Sequence, residues 1–345
     1  MWQLPLMVFT KRKTKLEVCI FKRNKIVIMK NILLSFLIII FVFSCNSDRE
    51  ISSSSKINKP NQYITVLGIA QDAGYPHINC QNDCCQAYYQ GKESKKLVSC
   101  LGVVDLDKQT KYIFDATPDF TEQTQILKDD HMDNGNIVDG VFLTHAHIGH
   151  YTGLMYLGFE ALGANSVPVY AMPRMKAYLE TNGPWSQLVT YNNVDLRGMQ
   201  NDSIVQLNDK LKVTPMLVPH RDEYSETVGY KIEGENKTAL FIPDIDKWEK
   251  WERDIIEEVK KVDYAFVDAS FFRDGEIDRD MSKIPHPFTT QTTTLFENES
   301  IETKSKIHFI HYNHSNPTIR ESHHLKDSIM HLGFKFAKEG DIYEL

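Results

Sequence analysis

The sequence predicts an α/β fold, a four-layer sandwich in which helices lie outside two β-sheets. Two observations predict it. From residue 63 onward, short β-rich runs alternate with amphipathic stretches, and neither an internal repeat nor a second linker interrupts them. The chain has 345 residues, 42% of them hydrophobic, which is enough for one large globular domain.

The predicted elements follow the chain in alternating order. The strands are expected at Ile64–Ala70, Val98–Asp105, Tyr112–Asp115, Val138–Thr144, Val167–Ala171, Leu211–Pro219, Val228–Ile232, Thr238–Pro243, Tyr264–Asp268, Ile307–His311 and Phe334–Ala337. The helices are expected at Thr121–Asp129, Gly153–Leu162, Arg174–Thr181, Trp248–Lys261, Thr289–Phe296 and Glu321–Leu332. The helix over 248–261 has the clearest pattern, because its apolar residues recur at helical spacing.

The N-terminal part of the chain is typical of a targeting segment. Residues 1–44 contain eight basic residues and one acidic residue, and the apolar run Ile32–Phe43 is too short for a membrane span but suits a signal peptide. Residues 42–45 resemble a bacterial lipoprotein cleavage box, in which Cys45 would be lipidated. A start at Met29 would make residues 1–28 an over-extension of the reading frame. The alternative is an uncleaved N-terminal anchor helix.

Residues 45–62 are polar and almost free of large apolar groups, which predicts a lipid-anchored tether before a domain at 63–345. Removal of residues 1–44 takes eight of the 39 basic and one of the 46 acidic residues, and changes the net charge from −7 to about −14. An acidic domain argues against a nucleic-acid partner. We therefore expect an exported protein, held by its lipid anchor at the periplasmic or cell-surface face of a bacterial membrane.

A histidine cluster follows the strand predicted at 138–144. His145 and His147 should point to the same side because side chains alternate along a strand, and His150 can return to a position nearby. Neutral imidazoles grouped in this way bind Zn, Fe or Mn. The cluster therefore predicts a metal site.

Further candidate metal ligands close later strands. His220, Asp244 and His311 each follow an apolar run, which predicts that their loops gather at one edge of the sheets. Taken singly, His220 could cap a turn, Asp244 could cap a helix, and His311 could be a core histidine.

These residues together resemble the metallo-β-lactamase fold superfamily, and the resemblance covers nearly all of residues 63–345. In that family a strand-end Asp, a His-x-His-x-Asp-His box, a later His, a later Asp and a last His build one or two metal sites. The matching positions here are Asp115, His145, His147, His150, His220, Asp244 and His311.

Three stretches favour a branch of that superfamily. Residues 115–119, 267–271 and 311–317 resemble the branch that contains pyrroloquinoline quinone biosynthesis protein B. The opening stretch at 68–77, with the cysteines that follow it, also resembles the cyclic-phosphate phosphodiesterase and ribonuclease Z branches.

The chain departs from the family at one position of the box. Gly149 stands where the family has an Asp that binds the second metal and orients the attacking water. Three outcomes are open. His145, His147 and His220 could hold a single metal; His150, Asp244 and His311 could form a second site with one more water; or another carboxylate could replace the Asp. The candidate replacements are Asp72, Asp222 and Glu223, although the last two could be solvated loop charges.

The resemblance also implies two catalytic residues. Asp244 would bridge both metals, and His286 lies in a stretch that resembles a His-x-Thr loop that assists the leaving group or stabilises an oxyanion. His286 could instead be a plain loop histidine between two prolines. His314 and Asn316 are candidates for shaping the pocket, and the histidines expected to be structural are His308, His323, His324 and His331.

Four cysteines remain to be explained in the domain. His77, Cys80, Cys84 and Cys85 lie in the region that holds a structural zinc in the phosphodiesterase branch. In an exported chain these cysteines could equally form a disulfide, for instance with Cys100, and free buried thiols are the third alternative.

The function expected from the resemblance is that of a metal-dependent hydrolase. One or two zinc ions, or Fe or Mn, would lower the pKa of a metal-bound water that attacks a phosphodiester or a small ester-like molecule. One alternative is oxidative chemistry at iron, related to quinone cofactor biosynthesis. Another is a metal-binding lipoprotein without catalysis. The sequence indicates neither the substrate nor the oligomeric state.

Overall fold

The computed structural model describes residues 59–345 and contains two seven-stranded β-sheets. In spatial order the first sheet is β14-β1-β2-β3-β4-β5-β6 and the second is β13-β12-β11-β10-β9-β8-β7. The strands are β1 (Gln62–Gly68), β2 (Cys100–Asp105), β3 (Thr110–Phe114), β4 (Gly140–Phe142), β5 (Val167–Ala171), β6 (Val194–Gly198), β7 (Val205–Gln206), β8 (Lys212–Leu217), β9 (Val228–Glu233), β10 (Thr238–Ile242), β11 (Tyr264–Asp268), β12 (Ile307–Ile310), β13 (Lys335–Phe336) and β14 (Ile342–Glu344).

The helices are short. The α-helices are α1 (Asp83–Tyr89), α2 (Phe120–Ile126), α3 (Ile148–Tyr151), α4 (Pro173–Thr181), α5 (Ser186–Thr190), α6 (Ile255–Lys260), α7 (Thr289–Leu295), α8 (Ile301–Ser305) and α9 (His324–His331). Single turns of other helical types occur at Leu127–His131, Thr152–Leu157, Trp248–Lys250, Met281–Lys283 and Pro317–Ile319. Together with the two sheets, these helices confirm the predicted α/β sandwich.

Each sheet is half antiparallel and half parallel. The strands β3, β4, β5 and β6 pair in parallel in the first sheet, as do β10, β11, β12 and β13 in the second. Parallel neighbours bring their carboxyl ends to the same edge of a sheet, which is where α/β folds place ligands. The fold therefore gathers the residues that follow these strands into one region per sheet.

Aromatic side chains fill the core between the sheets. The ring of Phe142 stacks on Tyr170 at 4.3 Å and on Phe114 at 4.9 Å, and Tyr230 of the second sheet meets Phe114 edge-on at 5.3 Å. Such offset and edge-to-face pairs stabilise a core beyond the area that they bury. This packing fixes the two sheets against each other.

The segment 248–261 was predicted as one helix, and that prediction was wrong in part. A single turn at Trp248–Lys250 is followed by extended backbone at Trp251, and α6 begins only after Asp254, whose side chain accepts a hydrogen bond from the Ile256 N–H at 2.8 Å. The apolar residues of this stretch are nevertheless buried. Helical spacing thus marked the buried face correctly but did not reveal the N-cap that divides the segment.

The helix predicted at 153–162 was also wrong in part, since only residues 153–157 of it are helical. The chain forms α3 and then a tight turn that ends at Leu157, because Gly158 adopts extended backbone. Gly153 packs so closely that a Cβ there would lie 2.2 Å from the Thr117 carbonyl oxygen. The short strands β6, β7 and β14 were not predicted.

Part of the predicted organisation falls outside the described residues. The leader at 1–44, the lipidation site Cys45 and nearly all of the tether at 45–62 belong to that part. Within residues 59–345, every helix is too short or too polar to cross a bilayer.

Candidate metal centre

The six predicted metal ligands all follow the ends of strands or lie in the loop and helix after β4. His145 and His147 lie between β4 and α3, and His150 lies within α3. The other three follow later strands: His220 after β8, Asp244 after β10 and His311 after β12. The structure brings the six together, as their positions at strand ends predicted.

Two residues at the site have unusual backbone. Asp115, directly after β3, and His311, directly after β12, have φ values of 71° and 66°. Residues other than glycine rarely adopt this left-handed conformation, which costs about 1–3 kcal/mol and clusters at functional sites. The rest of the fold therefore holds both side chains in place against a local cost.

The first group of ligand atoms comes from His145, His147, His220 and Asp244, one from each, all within 4.8 Å of one another. The Nε2 atoms of His145 and His220 each lie 3.3 Å from an Asp244 carboxylate oxygen. The His145 Nε2 and His147 Nδ1 atoms are 2.8 Å apart. Three imidazoles and one carboxylate match the ligand set of a zinc site.

A second group of candidate ligands lies close to Asp244. It consists of Asp72, His150 and His311, and a further group joins Asp244 and His311 with Asp268 and His286. The His150 Nε2 atom lies 3.5 Å from Asp72 Oδ1 and 3.7 Å from Asp244 Oδ2. Asp244 Oδ2 therefore lies near a histidine of each group, His145 at 3.3 Å and His150 at 3.7 Å.

The buried polar atoms of these groups test whether a metal fits. Within the described part of the chain, these atoms have no hydrogen-bond partner: Asp72 Oδ1, His150 Nε2, His220 Nδ1 and Nε2, Asp244 Oδ1, and His311 Nε2. A buried polar atom without a partner costs about 1–3 kcal/mol, so such atoms are rare unless an ion or water completes them. Their convergence fits a metal centre.

Burial lowers the pKa of His145 well below its ordinary value, that of His220 to about 4, and that of His311 in the same direction, which favours their neutral form. At His150 burial acts in the same direction, but the carboxylates of Asp115 and Asp72 outweigh it and raise the pKa well above its ordinary value. Burial would raise the pKa of Asp244, but His220 and His286 outweigh it, so this carboxylate is ionised. Neutral imidazoles and an ionised carboxylate are the forms that bind metals.

Hydrogen bonds orient His150 in the second group. The His150 Nδ1 atom lies 2.7 Å from Asp115 Oδ2, which leaves Nε2 facing Asp72 and Asp244. Asp115 also accepts hydrogen bonds from the Thr144 N–H and hydroxyl. Partners of this kind fix the tautomer and direction of a metal-binding histidine. Asp115 thus contacts a ligand rather than the region between the ligands.

Glu223 has a similar place beside His147. Its Oε2 atom lies 3.1 Å from His147 Nε2, while the opposite ring nitrogen of His147 faces His145. Glu223 is half-exposed, at 46% of its side-chain surface. It therefore contacts His147 from the solvent side.

Asp268 and Ser270 were not predicted as site residues. Asp268 is fully buried and lies 2.8 Å from His286 Nδ1, while Ser270 Oγ lies 2.9 Å from His311 Nδ1. Burial would lower the pKa of His286, but Asp268 and Asp244 outweigh it and raise the pKa to about 10. Two sequence signals pointed to Asp268: its place at the end of a strand, as for Asp115, and the stretch 267–271 that resembles one branch of the superfamily.

A cavity of about 490 Å³ opens beside His286. Three exposed cationic side chains line it, together with one carboxylate, two amides and an aromatic ring: Arg221, Arg279, Lys283, Asp280, Gln71, Asn313 and Phe271. Arg and Lys side chains around a pocket favour anionic ligands, carboxylates and phosphates above all. The cavity borders the candidate metal centre at His286, whose Nδ1 atom lies 3.1 Å from Asp244 Oδ1.

The cysteine group differs from its prediction in one residue. Cys80, Cys84, Cys85 and His314 come within 4.8 Å of one another, so His314 completes the group where His77 was expected. The His77 ring packs against the His314 ring with their centroids 4.3 Å apart and their planes tilted by 33°, and the His77 Nδ1 atom lies 2.9 Å from the Ile78 carbonyl oxygen. His314 lies 230 residues from Cys84 in the chain, which local spacing could not reveal.

The alternative disulfide with Cys100 does not form. The four cysteines of the described region are free, and Cys100 is buried in β2, where its thiol lies 3.6 Å from the Asp115 carbonyl oxygen. Three thiols and one imidazole in contact are typical ligands of a structural zinc.

The remaining predicted residues have structural contacts. Asn316 is buried, donates to the Ala269 carbonyl and caps the turn at 317–319, so it supports a loop rather than the pocket wall. His308 contacts the Tyr343 hydroxyl, and His323 caps α9, which agrees with the structural roles expected of them.

The chain is similar to proteins with the beta-lactamase superfamily domain. A family model described as a beta-lactamase superfamily domain matches residues 110–312. Coenzyme PQQ synthesis protein B of Gluconobacter oxydans is 26% identical over 82% of this chain and 98% of its own length. The zinc-bound PqqB structure from Methylobacterium extorquens matches with a TM-score of 0.68 at 21% identity, over 82% of this chain and all of the other. A diphosphatase of the PhnP family matches with a TM-score of 0.58 at 22% identity, over 82% of this chain and 97% of the other.

Proposed function

Since the chain belongs to the beta-lactamase superfamily, we propose that it is a metal-dependent hydrolase of an anionic substrate, a phosphodiester or a small ester-like molecule. The observation that carries the proposal is the convergence of buried, unpartnered ligand atoms around Asp244, next to a cavity lined by cationic side chains. Zinc is the metal that we propose, with Fe or Mn as alternatives, because three histidines and a carboxylate suit it.

The residues of the site would have separate roles in metal binding and in catalysis. His145, His147 and His220 would hold one ion, His150 and His311 would hold a second, and Asp244, which lies near His145 and His150, would bind both. When bound, a divalent metal lowers the pKa of a coordinated water and polarises the bond to be cleaved. His286, held protonated by Asp268 and Asp244, would donate a hydrogen bond to the leaving group or to a developing negative charge.

The lining of the cavity supports the substrate class. Arg221 reaches to 3.4 Å from His147, so its guanidinium lies directly at the edge of the ligand cluster. Arg279 and Lys283 line the same cavity. One guanidinium group can donate two parallel hydrogen bonds to two oxygens of a phosphate. Such contacts would hold a phosphodiester next to the metals.

A second candidate function has its own support. This chain aligns with almost the whole length of the relatives named coenzyme PQQ synthesis protein B, which favours a role in quinone cofactor biosynthesis. A centre rich in histidine and carboxylate also suits iron and oxygen. Under this alternative the same residues would support oxidative chemistry.

Metal analysis combined with turnover distinguishes these functions. We expect the full-length chain, purified in detergent, to contain zinc and to hydrolyse bis(p-nitrophenyl) phosphate. His147→Ala should abolish turnover, whereas the matched change His331→Ala, at an exposed position on α9, should leave it unchanged. Iron with oxygen consumption would favour the oxidative alternative. Metal without any turnover on a broad substrate panel would indicate a metal-binding lipoprotein.

The anchoring of the protein is a separate proposal. The leader at 1–44, lipidation at Cys45 and the tether at 45–62 would place the domain at the periplasmic or cell-surface face of a bacterial membrane. Cys45→Ser should release the protein from the membrane fraction and prevent incorporation of labelled palmitate. Unchanged membrane association would contradict the lipid anchor.

A further inference from the structure

We propose that Asp72 supplies the metal-binding carboxylate that the box position, Gly149, lacks. The inference rests on the metal centre of the proposed function, but it does not require that the reaction be hydrolysis. It assigns to a loop after β1 a ligand that the family takes from the histidine box.

The space is available only because residue 149 is glycine. A Cβ built on Gly149 would lie 2.2 Å from Asp72 Oδ1 and 2.7 Å from Asp72 Cα. Distances below 3.0 Å to a backbone atom cannot be relieved by rotation of a side chain, so the loop itself would have to move. A side chain at 149 and Asp72 in its present place are therefore mutually exclusive. The carboxylate of Asp72 fills the volume that a side chain of residue 149 would occupy.

The atoms of Asp72 are placed for binding. Its Oδ1 atom is buried, has no hydrogen-bond partner in the described chain, and lies 3.5 Å from His150 Nε2. His150 Nε2 and His311 Nε2 also lack partners, and one ligand atom from each of the three residues falls within 4.8 Å of the others. One carboxylate and two imidazoles around a common point supply three of the four ligands of a tetrahedral zinc site, and Asp244 would supply the fourth.

The loop that carries Asp72 is fixed to the opposite sheet. The Gln71 N–H donates to the Tyr312 carbonyl at 2.8 Å, and the Asn313 amide donates to Gln71 Oε1 at 2.6 Å. Both partners directly follow His311. The Gly74 N–H closes the turn on the Gln71 carbonyl, with Gly74 at a φ of 72°. These hydrogen bonds hold Asp72 at a fixed position relative to His311, which two ligands of the same metal ion require.

The other candidate carboxylates do not reach this position. Asp222 is exposed, and its Oδ1 atom accepts the hydrogen bond of the Thr227 hydroxyl at 2.8 Å. Glu223 contacts His147, in the first ligand group. Only Asp72, of the three replacements considered, lies with His150 and His311.

The test counts metal rather than turnover. The full-length chain is stripped with a chelator and titrated with zinc, and bound zinc is measured by calorimetry and by elemental analysis. Asp72→Asn and Asp72→Ala should each bind one zinc fewer than wild type, or bind that zinc much more weakly. The fall in affinity should exceed the roughly 10–100-fold that follows removal of a residue that only hydrogen-bonds to a metal ligand. Gly149→Ala should lose the same zinc, because the methyl group displaces Asp72, although it removes no ligand.

Asp222→Asn is the matched control, since it makes the same chemical change in a nearby loop, and it should keep the wild-type zinc content. Circular dichroism and the melting temperature establish that each variant is folded. Wild-type zinc content in folded Asp72→Asn would overturn the inference, as would an equal loss in the control. A wild-type chain that binds the full zinc complement but hydrolyses nothing would refute the hydrolase and leave this ligand assignment intact.

Discussion

At the scale of single residues, carboxylates differ in what they contact. Asp244 lies among the histidines, Asp115 lies behind one of them, and Asp72 comes from a loop that is remote in sequence. The positions of Asp244 and Asp115 could be predicted because each directly follows a strand. Asp72 was one of three candidate replacements, and the sequence could not select it among them, since its contact with His150 depends on the meeting of two loops.

Asp115 is predicted to control the affinity of the second ligand group. Asp115→Asn weakens the hydrogen bond that orients His150, so zinc affinity at that group should fall by about 10–100-fold. Competitive titration with a zinc indicator measures the change. Asp105→Asn is the control, because Asp105 is equally buried but bonds to Gln62 and to Asn208, neither of which is a candidate ligand. Equal losses in both variants would contradict the specific role of Asp115.

At the scale of elements, burial could be predicted better than helix boundaries. The apolar pattern at 248–261 correctly marked a buried face, yet the backbone is extended at Trp251, whose indole N–H donates to the Leu217 carbonyl at 2.7 Å. This side-chain hydrogen bond fixes Trp251 against the end of β8. Strands were predicted more reliably. A strand that is buried on both faces has a continuous run of apolar residues, and this pattern does not depend on the loops that flank it.

Asp254 is predicted to stabilise α6. Its carboxylate accepts the Ile256 N–H, so Asp254→Ala should lower the free energy of unfolding by about 1 kcal/mol, whereas Asp254→Ser, which can still cap, should cost much less. Urea unfolding of both variants measures the difference. Equal destabilisation by Ala and Ser would mean that the cap contributes nothing.

At the scale of the whole molecule, the order of the sheets creates a metal centre from distant parts of the chain. The parallel half of each sheet directs its carboxyl ends to one region, and the family resemblance correctly implied this architecture. Pairings that depend on tertiary contact could not be predicted. His314 joins the cysteines across 230 residues, and β14 pairs with β1 across almost the entire domain.

One such long-range contact should make stability depend on pH. Glu339 accepts the Leu97 N–H, and burial raises its pKa to about 7 from an ordinary value of 4.5. The folded state holds this proton more tightly than the unfolded state does. Stability should therefore fall as pH rises from about 4.5 to about 7.

Glu339→Gln keeps an acceptor but removes the charge, so it should stabilise the protein by about 1–2 kcal/mol at pH 8 and have little effect at pH 4.5. Urea unfolding at the two pH values checks this, and Glu344→Gln, at an exposed position, serves as the control. A gain of equal size at both pH values would refute the explanation.

The pairing of β14 with β1 also bears on how the protein is made. Tyr63 faces Glu344, so the hydrogen bonds of β1 on that side are satisfied only by residues synthesised about 280 positions later. Until then β1 presents an open edge that other chains can join. Folding of the first sheet must therefore finish after translation of the domain, and a nascent or truncated chain that lacks residues 342–344 should be prone to aggregate and to depend on chaperones.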